Sequence, residues 1–544
     1  MEADVRADVT VESDVEAVMR DGTVLRADIH RPPTGRGPWP VLLARCPYGK
    51  RDPGMLARLG PAAAARRGYL VVIQDTRGRF TSGGEWEPLV NEYADGYDTV
   101  RWAARLPAAD GRVAMYGPSY LGFVQWAAAA AGPPELAAVL PEFTWSDPAD
   151  GLVSRGGAPE RGLVAQWTLG LGFDLLKRRH ADAPQERRRA LREWADAFAA
   201  LHRRGGTTAE DWAPPILDTL PGPGRSGGPA PRPALDGSAP PCLPTLTIAG
   251  WYDAFLQGGL DHHVLARAGG HPAALIVGPW THEDQTGRTG AADFGPNAGQ
   301  HAIDGGPALL DRELDWLDGV LGRGRAAEPA DTVLVFVMGA NTWRRLDRWP
   351  PDAVDTDWFL RSGGVLSARP PEPDEAPDTF DHDPADPAPV RGGALLLTAA
   401  YPAGPSDQGP VEARPDVLVF TGEPLAEPLE VIGRVRVLLV AAASAGPADW
   451  VARLCDVAPD GTSVNLTDGI VRTGAGGPAE VTVDLWSTAH VFLPGHRVRL
   501  QVAAAGHPRW ECASPAAVRT VFHDPDRPSR LVLPVTDRRG GHAG

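Results

Sequence analysis

Lysine is almost missing from this 544-residue chain: Lys50 and Lys177 are the only two among 53 basic residues, and arginine supplies the rest. Positive charge is scarce overall, because 69 acidic residues leave a formal net charge of −16. Nucleic acids and anionic membranes both require a basic face that displaces counterions, so this balance argues against either partner. Cysteine is scarce too. Cys46, Cys242, Cys455 and Cys512 are scattered with no Cys-x-x-Cys spacing, so neither a zinc site nor a disulfide framework is expected, and buried thiols are. No apolar run approaches the ~18 residues that begin to span a bilayer. Met1–Asp14 is acidic instead of basic and then apolar, and a cytoplasmic protein is expected. The abundance of Arg, Ala, Gly and Pro suggests a GC-rich bacterial genome, which bears on codons and not on function.

What the chain does contain begins with Arg112-Val113-Ala114-Met115-Tyr116-Gly117-Pro118-Ser119-Tyr120-Leu121-Gly122. A short apolar strand runs into a serine flanked by glycines and then into a helix-like stretch over Phe123–Ala131. This is the pattern of a nucleophile elbow, where the serine sits on a strained turn and its neighbours must be small. The usual five-residue form has glycine two residues after the serine, whereas Leu121 stands there and Gly122 follows. Downstream, Leu243–Asp253 is an apolar run ending in an aspartate, and Ala273–His282 is one ending in a histidine. Ser119, Asp253 and His282 thus follow the chain order of α/β-hydrolase triads, whose members lie at the C-terminal ends of parallel strands. The chemistry needs all three, since a serine hydroxyl is a weak nucleophile until an imidazole takes its proton and a carboxylate holds that imidazole in the right tautomer.

At this length two or three domains are expected. Strands at Thr23–Ile29, Pro40–Arg45 and Tyr69–Asp75 alternate with helices at Met55–Arg67 and Glu92–Arg105, which implies a mainly parallel sheet covered on both faces. The segment from Trp145 to Ala239 reads as mostly helical and ends in the Gly/Pro-rich stretch Pro221–Pro240, a loop. A closing helix is expected over Ala308–Leu321. Beyond Ala327, short strands such as Thr332–Val337, Val431–Val440 and Arg497–Ala503, with turns at Ala458–Gly461 and Leu493–Gly495, read as a β-sandwich. Pro370–Pro389 cannot be a central strand and is expected to be an exposed loop. The expected division is a catalytic α/β domain over 1–144 and 241–327, a helical lid over 145–240 and an all-β domain over 328–544.

Further motifs complete the set: Arg45-Cys46-Pro47-Tyr48-Gly49-Lys50, Gln74-Asp75-Thr76-Arg77-Gly78, Asn91–Asp98, Gly250-Trp251-Tyr252-Asp253, Gly278–His282, Met338-Gly339-Ala340-Asn341 and Pro494-Gly495-His496-Arg497. Together with the glycine spacing around Ser119, they make the chain resemble the CocE/NonD hydrolases, the cocaine-esterase-like branch of the X-Pro dipeptidyl-peptidase superfamily, over nearly its whole length. The resemblance implies an α/β-hydrolase domain with a helical lid insertion and a C-terminal jelly roll. It implies a cofactor-independent serine hydrolase acting on a small-molecule ester or acyl amide, with Tyr48 and the Tyr120 N–H forming the oxyanion hole. A phenol stays protonated near neutral pH, and such a preset donor contributes ~3–4 kcal/mol to the transition state. Gly49 departs from the family, which carries an acidic residue before the lysine, and Leu106–Ala109 lacks the family's usual tryptophan.

Trp167 and Phe255 look similar to positions that shape the acyl pocket, with Trp251 as a third candidate; packing roles in the lid and core are the alternative. Asp75 and Arg77 read as a structural pair beside the elbow. His262 and His263 are adjacent and point apart on a helix, a poor metal site. Glu283 and Asp284 read as loop carboxylates that could compete for His282, and His496 as a packing or capping residue. An aminopeptidase, amidase or acyltransferase of the same superfamily needs carboxylates for an α-ammonium group, for which Glu142, Asp147 and Asp150 are candidates. A scaffold with a carbohydrate-binding jelly roll is disfavoured by the intact Ser, His, Asp and Tyr set. Whether the chain pairs into a homodimer is left open.

Overall fold

The computed structural model describes residues 8–145, 147–149, 151–203, 210–223, 242–324, 329–474 and 477–536. Its first sheet has ten strands: β1 (Thr10–Val18), β2 (Val24–Arg31), β3 (Trp39–Cys46), β4 (Leu70–Asp75), β5 (Ala109–Pro118), β6 (Leu136–Glu142), β7 (Thr245–Tyr252), β8 (Ala273–Thr281), β9 (Val333–Val337) and β10 (Thr342–Leu346). They run in the order β1-β2-β4-β3-β5-β6-β7-β8-β9-β10. From β4 to β9 every neighbour is parallel, and antiparallel pairs close both edges. β4, β7 and β8 are buried along their full length, as strands covered on both faces must be.

The helix expected over Met55–Arg67 is two: α1 (Pro53–Leu59) and α2 (Pro61–Arg66). Gly60 breaks them at φ 53°, and a Cβ there would lie 2.4 Å from Leu310 Cδ2, so glycine is required both by conformation and by space. Pro61 then starts α2, where its missing N–H is harmless. α3 (Glu92–Ala103) and α4 (Tyr120–Ala131) cover the other face and bury Val100, Ala103, Phe123, Val124 and Trp126. The insertion carries α5 (Arg161–Arg179) and α6 (Pro184–Arg203), mostly helical as expected. Most of Pro221–Pro240 lies outside the described residues. α7 (Leu256–Ala268) follows β7, and α8 (Leu309–Val320) packs with α1 and α2.

The strand expected at Thr332–Val337 forms as β9, but it pairs in parallel with β8. The first sheet therefore continues past residue 327, where the sequence reading divides the domains, because β9 extends the parallel edge and β10 closes it.

The remaining strands build an all-β domain: β11 (Val354–Arg361), β12 (Val365–Ser367), β13 (Asp378–His382), β14 (Val417–Thr421), β15 (Leu429–Ala443), β16 (Ala448–Val457), β17 (Ser463–Thr473), β18 (Ala479–Phe492), β19 (Arg497–Ala503), β20 (Ala517–Val521) and β21 (Arg530–Val535). All pairings are antiparallel except β12 with β14. Alternate residues such as Val435, Val437 and Leu439 of β15 and Val481, Val483 and Leu485 of β18 meet in one apolar cluster. The Pro-rich stretch Pro370–Pro389 is not all loop as expected: it holds β13 at the edge of the sheet, a position such a sequence tolerates. Among the described residues no helix is long and apolar enough to cross a membrane.

Candidate active site

Ser119 stands between β5 and α4 at φ 61°, ψ −123°, a conformation that an L-residue adopts only when its surroundings enforce it. The enforcement is visible. The Ser119 N–H donates to the Glu142 carbonyl at 2.8 Å, and the Thr144 hydroxyl donates to the Ser119 carbonyl at 2.8 Å. Gln125 clamps the turn from within α4, its Nε2 donating to the carbonyls of Gly117, Leu121 and Leu140 and its Oε1 accepting the Leu140 N–H. The odd glycine spacing follows from the same contacts. A Cβ on Gly122 would meet Thr144 Cβ at 2.6 Å, while Leu121, two residues after the serine, is fully buried against the opposite face of the sheet.

Asp253 and His282 lie just past the ends of β7 and β8, and the His282 Nδ1 to Asp253 Oδ1 distance is 2.8 Å. A carboxylate only accepts, so the proton sits on Nδ1 and leaves Nε2 with its lone pair. Both are buried, at 0% and 5% exposure, which keeps water from competing for this contact. Glu283 is exposed, and Asp284 Oδ1 accepts the Thr286 N–H, so neither replaces Asp253. The Phe255 ring meets His282 edge-on at 5.3 Å.

Tyr48, beyond β3, lies beside Ser119 and accepts from Trp167 Nε1 at 3.2 Å. Burial pushes its phenol up to about 12, against the opposing pull of Trp167 and Ser119, so it remains a donor at neutral pH. Gly49 follows at φ 105°, and a Cβ there would meet the Phe80 ring at 3.1 Å, which accounts for the absence of an acidic side chain. Tyr120 opens α4, so its amide is one of the four that a helix leaves without an internal acceptor. Its ring is buried, the hydroxyl donating to Glu92 Oε1 at 2.9 Å and accepting the Leu89 N–H at 2.9 Å. Glu92 in turn pairs with the buried Arg45 at 2.6 Å. This support for the elbow was missed in the sequence, although both residues lie in its motifs.

Trp167 stacks on Tyr120, with ring centroids 6.0 Å apart, and Phe255 meets Trp145 at 4.7 Å. Trp145 was also missed, and its only signal is its position three residues beyond the end of β6. Trp251 is a correction. Its indole donates to the Phe336 carbonyl of β9 at 2.6 Å and its ring meets Trp349, in the cluster facing the all-β domain, apart from Trp167 and Phe255. Asp75 and Arg77 are likewise not paired with each other. Asp75 takes Lys50 Nζ at 3.0 Å, while Arg77 makes a two-pronged contact with Asp95 at 2.6 and 2.9 Å. His262 and His263 are buried on α7, and burial lowers them to about 3 and about 4, neutral imidazoles.

Asp150 lies outside the described residues. Asp147 Oδ1 accepts the N–H of Ala149, within its own loop. Glu142 is buried with Glu313 and the Arg58 guanidinium; burial raises Glu142 to about 7 against the pull of Arg58, and pushes Glu313 up further with help from the Glu142 charge. The unfolded chain ionises these carboxyls near 4.5, so between that value and about 7 the folded protein binds more protons than the unfolded one. Their stabilisation is therefore present below about pH 4 and is lost as pH rises toward neutrality. Glu313→Gln is expected to flatten that loss, and urea midpoints that fall with pH as steeply as in the wild type would contradict it.

Residues 21–284 match the X-Pro dipeptidyl-peptidase (S15 family) profile, and residues 325–532 match the X-Pro dipeptidyl-peptidase C-terminal non-catalytic domain. Cocaine esterase of Rhodococcus sp. (strain MB1 Bresler) is 34% identical over 97% of this chain and 99% of its own. An α-amino acid ester hydrolase of known structure superposes with a TM-score of 0.75 at 25% identity, covering 98% of each chain. An aminopeptidase from a marine sediment Thaumarchaeota archaeon reaches a TM-score of 0.77 at 23% identity over 99% of this chain and 98% of its own, a likeness of fold. The chain belongs to the cocaine-esterase-like branch of the X-Pro dipeptidyl-peptidase family.

Proposed function

We propose that this protein hydrolyses carboxylic esters of small molecules through an acyl-enzyme, with Ser119 as nucleophile, His282 as general base and acid, and Asp253 as its orienting carboxylate. The observation that carries the reading is the buried 2.8 Å His282 to Asp253 contact on the sheet edge that also bears the strained Ser119. Ser119 Oγ attacks the carbonyl carbon as its proton passes to His282 Nε2; the alcohol leaves with that proton, and water, deprotonated by the same nitrogen, releases the acid. The Tyr48 hydroxyl and the Tyr120 N–H hold the oxyanion. Residues up to Trp145 and from 242 through β10 form the catalytic body, α5 and α6 its lid, and the strands from β11 onward a jelly-roll domain against it.

The aromatic wall of Trp167, Phe255 and Trp145 suits a flat or apolar acyl group, which it would bind by burial and edge contacts. The amine-recognising alternative draws no support from Glu142 and Asp147, since Glu142 is buried near Glu313 and Arg58 and Asp147 closes its own loop. Turnover of p-nitrophenyl esters and aminoacyl p-nitroanilides, with a phosphonate as active-site titrant, tests the reading. Ester turnover titrated to zero by the phosphonate is expected, and activity on the anilides alone would overturn it. Tyr48→Phe removes one oxyanion donor with no change of shape, and kcat should fall about 10²- to 10³-fold at nearly constant KM.

A further inference from the structure

Tyr48 can donate to the oxyanion only if its ring is held beside Ser119, yet the sheet releases the chain two residues earlier. The pairing of β3 with β4 ends at Cys46, and Pro47 has no N–H to give. The Tyr48 N–H finds the Cys46 thiol at 3.4 Å, and sulfur is a weak acceptor. The other end of the same peptide is held firmly, because Arg79 Nε donates to the Pro47 carbonyl at 2.8 Å. That guanidinium is therefore the strong tether of the peptide that carries Tyr48.

The same side chain is anchored in the lid. Arg79 Nη1 lies 3.4 Å from the Leu171 carbonyl and 3.5 Å from Asp174 Oδ2, both on α5. Leu171 is one turn beyond Trp167, whose Nε1 donates to the Tyr48 hydroxyl. Asp174 Oδ2 also accepts the Phe80 N–H at 3.2 Å, and Arg178, a further turn on, donates to the Phe80 and Ser82 carbonyls, so α5 is tied to the loop that bears Arg79. Arg79 is only 2% exposed, and its guanidinium packs against the rings of Phe80 and Trp86 at 5.2 and 5.6 Å. A planar fork can hold two carbonyls in a fixed geometry, which the point charge of a lysine cannot. We infer that Arg79 is a positioning residue for Tyr48, its fork joining the Pro47 carbonyl to the lid helix so that the phenol stays aimed at the developing oxyanion. The inference rests on Tyr48 being an oxyanion donor, as proposed above.

A double-mutant cycle on the p-nitrophenyl esters tests this with the whole protein. Arg79→Met keeps the apolar length and removes every donor, and kcat should fall about 10²-fold at nearly constant KM, the loss that a misplacement of about 1 Å brings. Arg79→Lys keeps the charge but cannot span both carbonyls, and should lose about tenfold. In the Tyr48→Phe protein each substitution should cost less than about threefold, because the group it positions is already gone. The Lys variant carries the same cycle should the Met variant not fold. Equal losses in both backgrounds, a rise in KM in place of a fall in kcat, or wild-type kcat in either variant would overturn the inference and leave Tyr48 in its role. A Tyr48→Phe protein as active as the wild type would instead remove Tyr48 from the oxyanion hole, and the role of Arg79 with it.

Discussion

Ser119→Ala should lose on the order of 10⁴- to 10⁶-fold in ester kcat while the protein stays folded. The magnitude follows from the role, because nothing else in the site can form the acyl bond and the residual rate comes from binding and oxyanion contacts alone. The structural cost is small, since Ser119 is tied into the elbow by its backbone, through Glu142 and Thr144, and Ala removes only the hydroxyl. Phosphonate labelling should disappear in the same variant. Ser119→Gly adds a second readout: at φ 61° glycine relieves a strain that alanine keeps, so the Gly variant should be more stable than the Ala variant by about 1 kcal/mol, offset in part by the freedom glycine gains when unfolded. Ester turnover within tenfold of the wild type in either variant would remove Ser119 from the mechanism.

How far the sequence could be read depends on what each signal measures. β7 and β8 were legible because a strand buried on both faces must be apolar throughout, and their ends mark themselves by the change to Asp253 and His282. The break at Gly60 carries a local signal in Gly60-Pro61 that was passed over; only the steric demand of Leu310, 250 residues away, lies beyond local pattern. The place of β9 in the first sheet failed for a like reason: a five-residue apolar strand does not announce which sheet it joins. Trp251 was misassigned by its closeness to Asp253 in a shared motif. Successive strand residues face opposite ways, and its side chain turns toward β9 and Trp349. Side-chain direction past a strand end, as at Trp145, depends on a loop path that periodicity does not contain.

Asp253→Asn should separate orientation from structure. The native carboxylate accepts from His282 Nδ1 and so keeps the Nε2 lone pair ready for the serine proton. An amide in the same place can turn its NH₂ toward the ring, which makes Nδ1 the acceptor, puts the hydrogen on Nε2 and leaves the serine without a base. A fall in kcat of about 10⁴-fold at nearly constant KM is expected, with phosphonate labelling slowed in parallel, because both reactions need the same proton transfer. Stability should hardly change or should rise: Asp253 is fully buried, its Oδ2 finds no partner, and the neutral amide avoids the cost of burying a charge that only one imidazole offsets. Loss of activity together with a large loss of stability would make Asp253 a folding residue, and a kcat within tenfold of wild type would mean that another group orients His282.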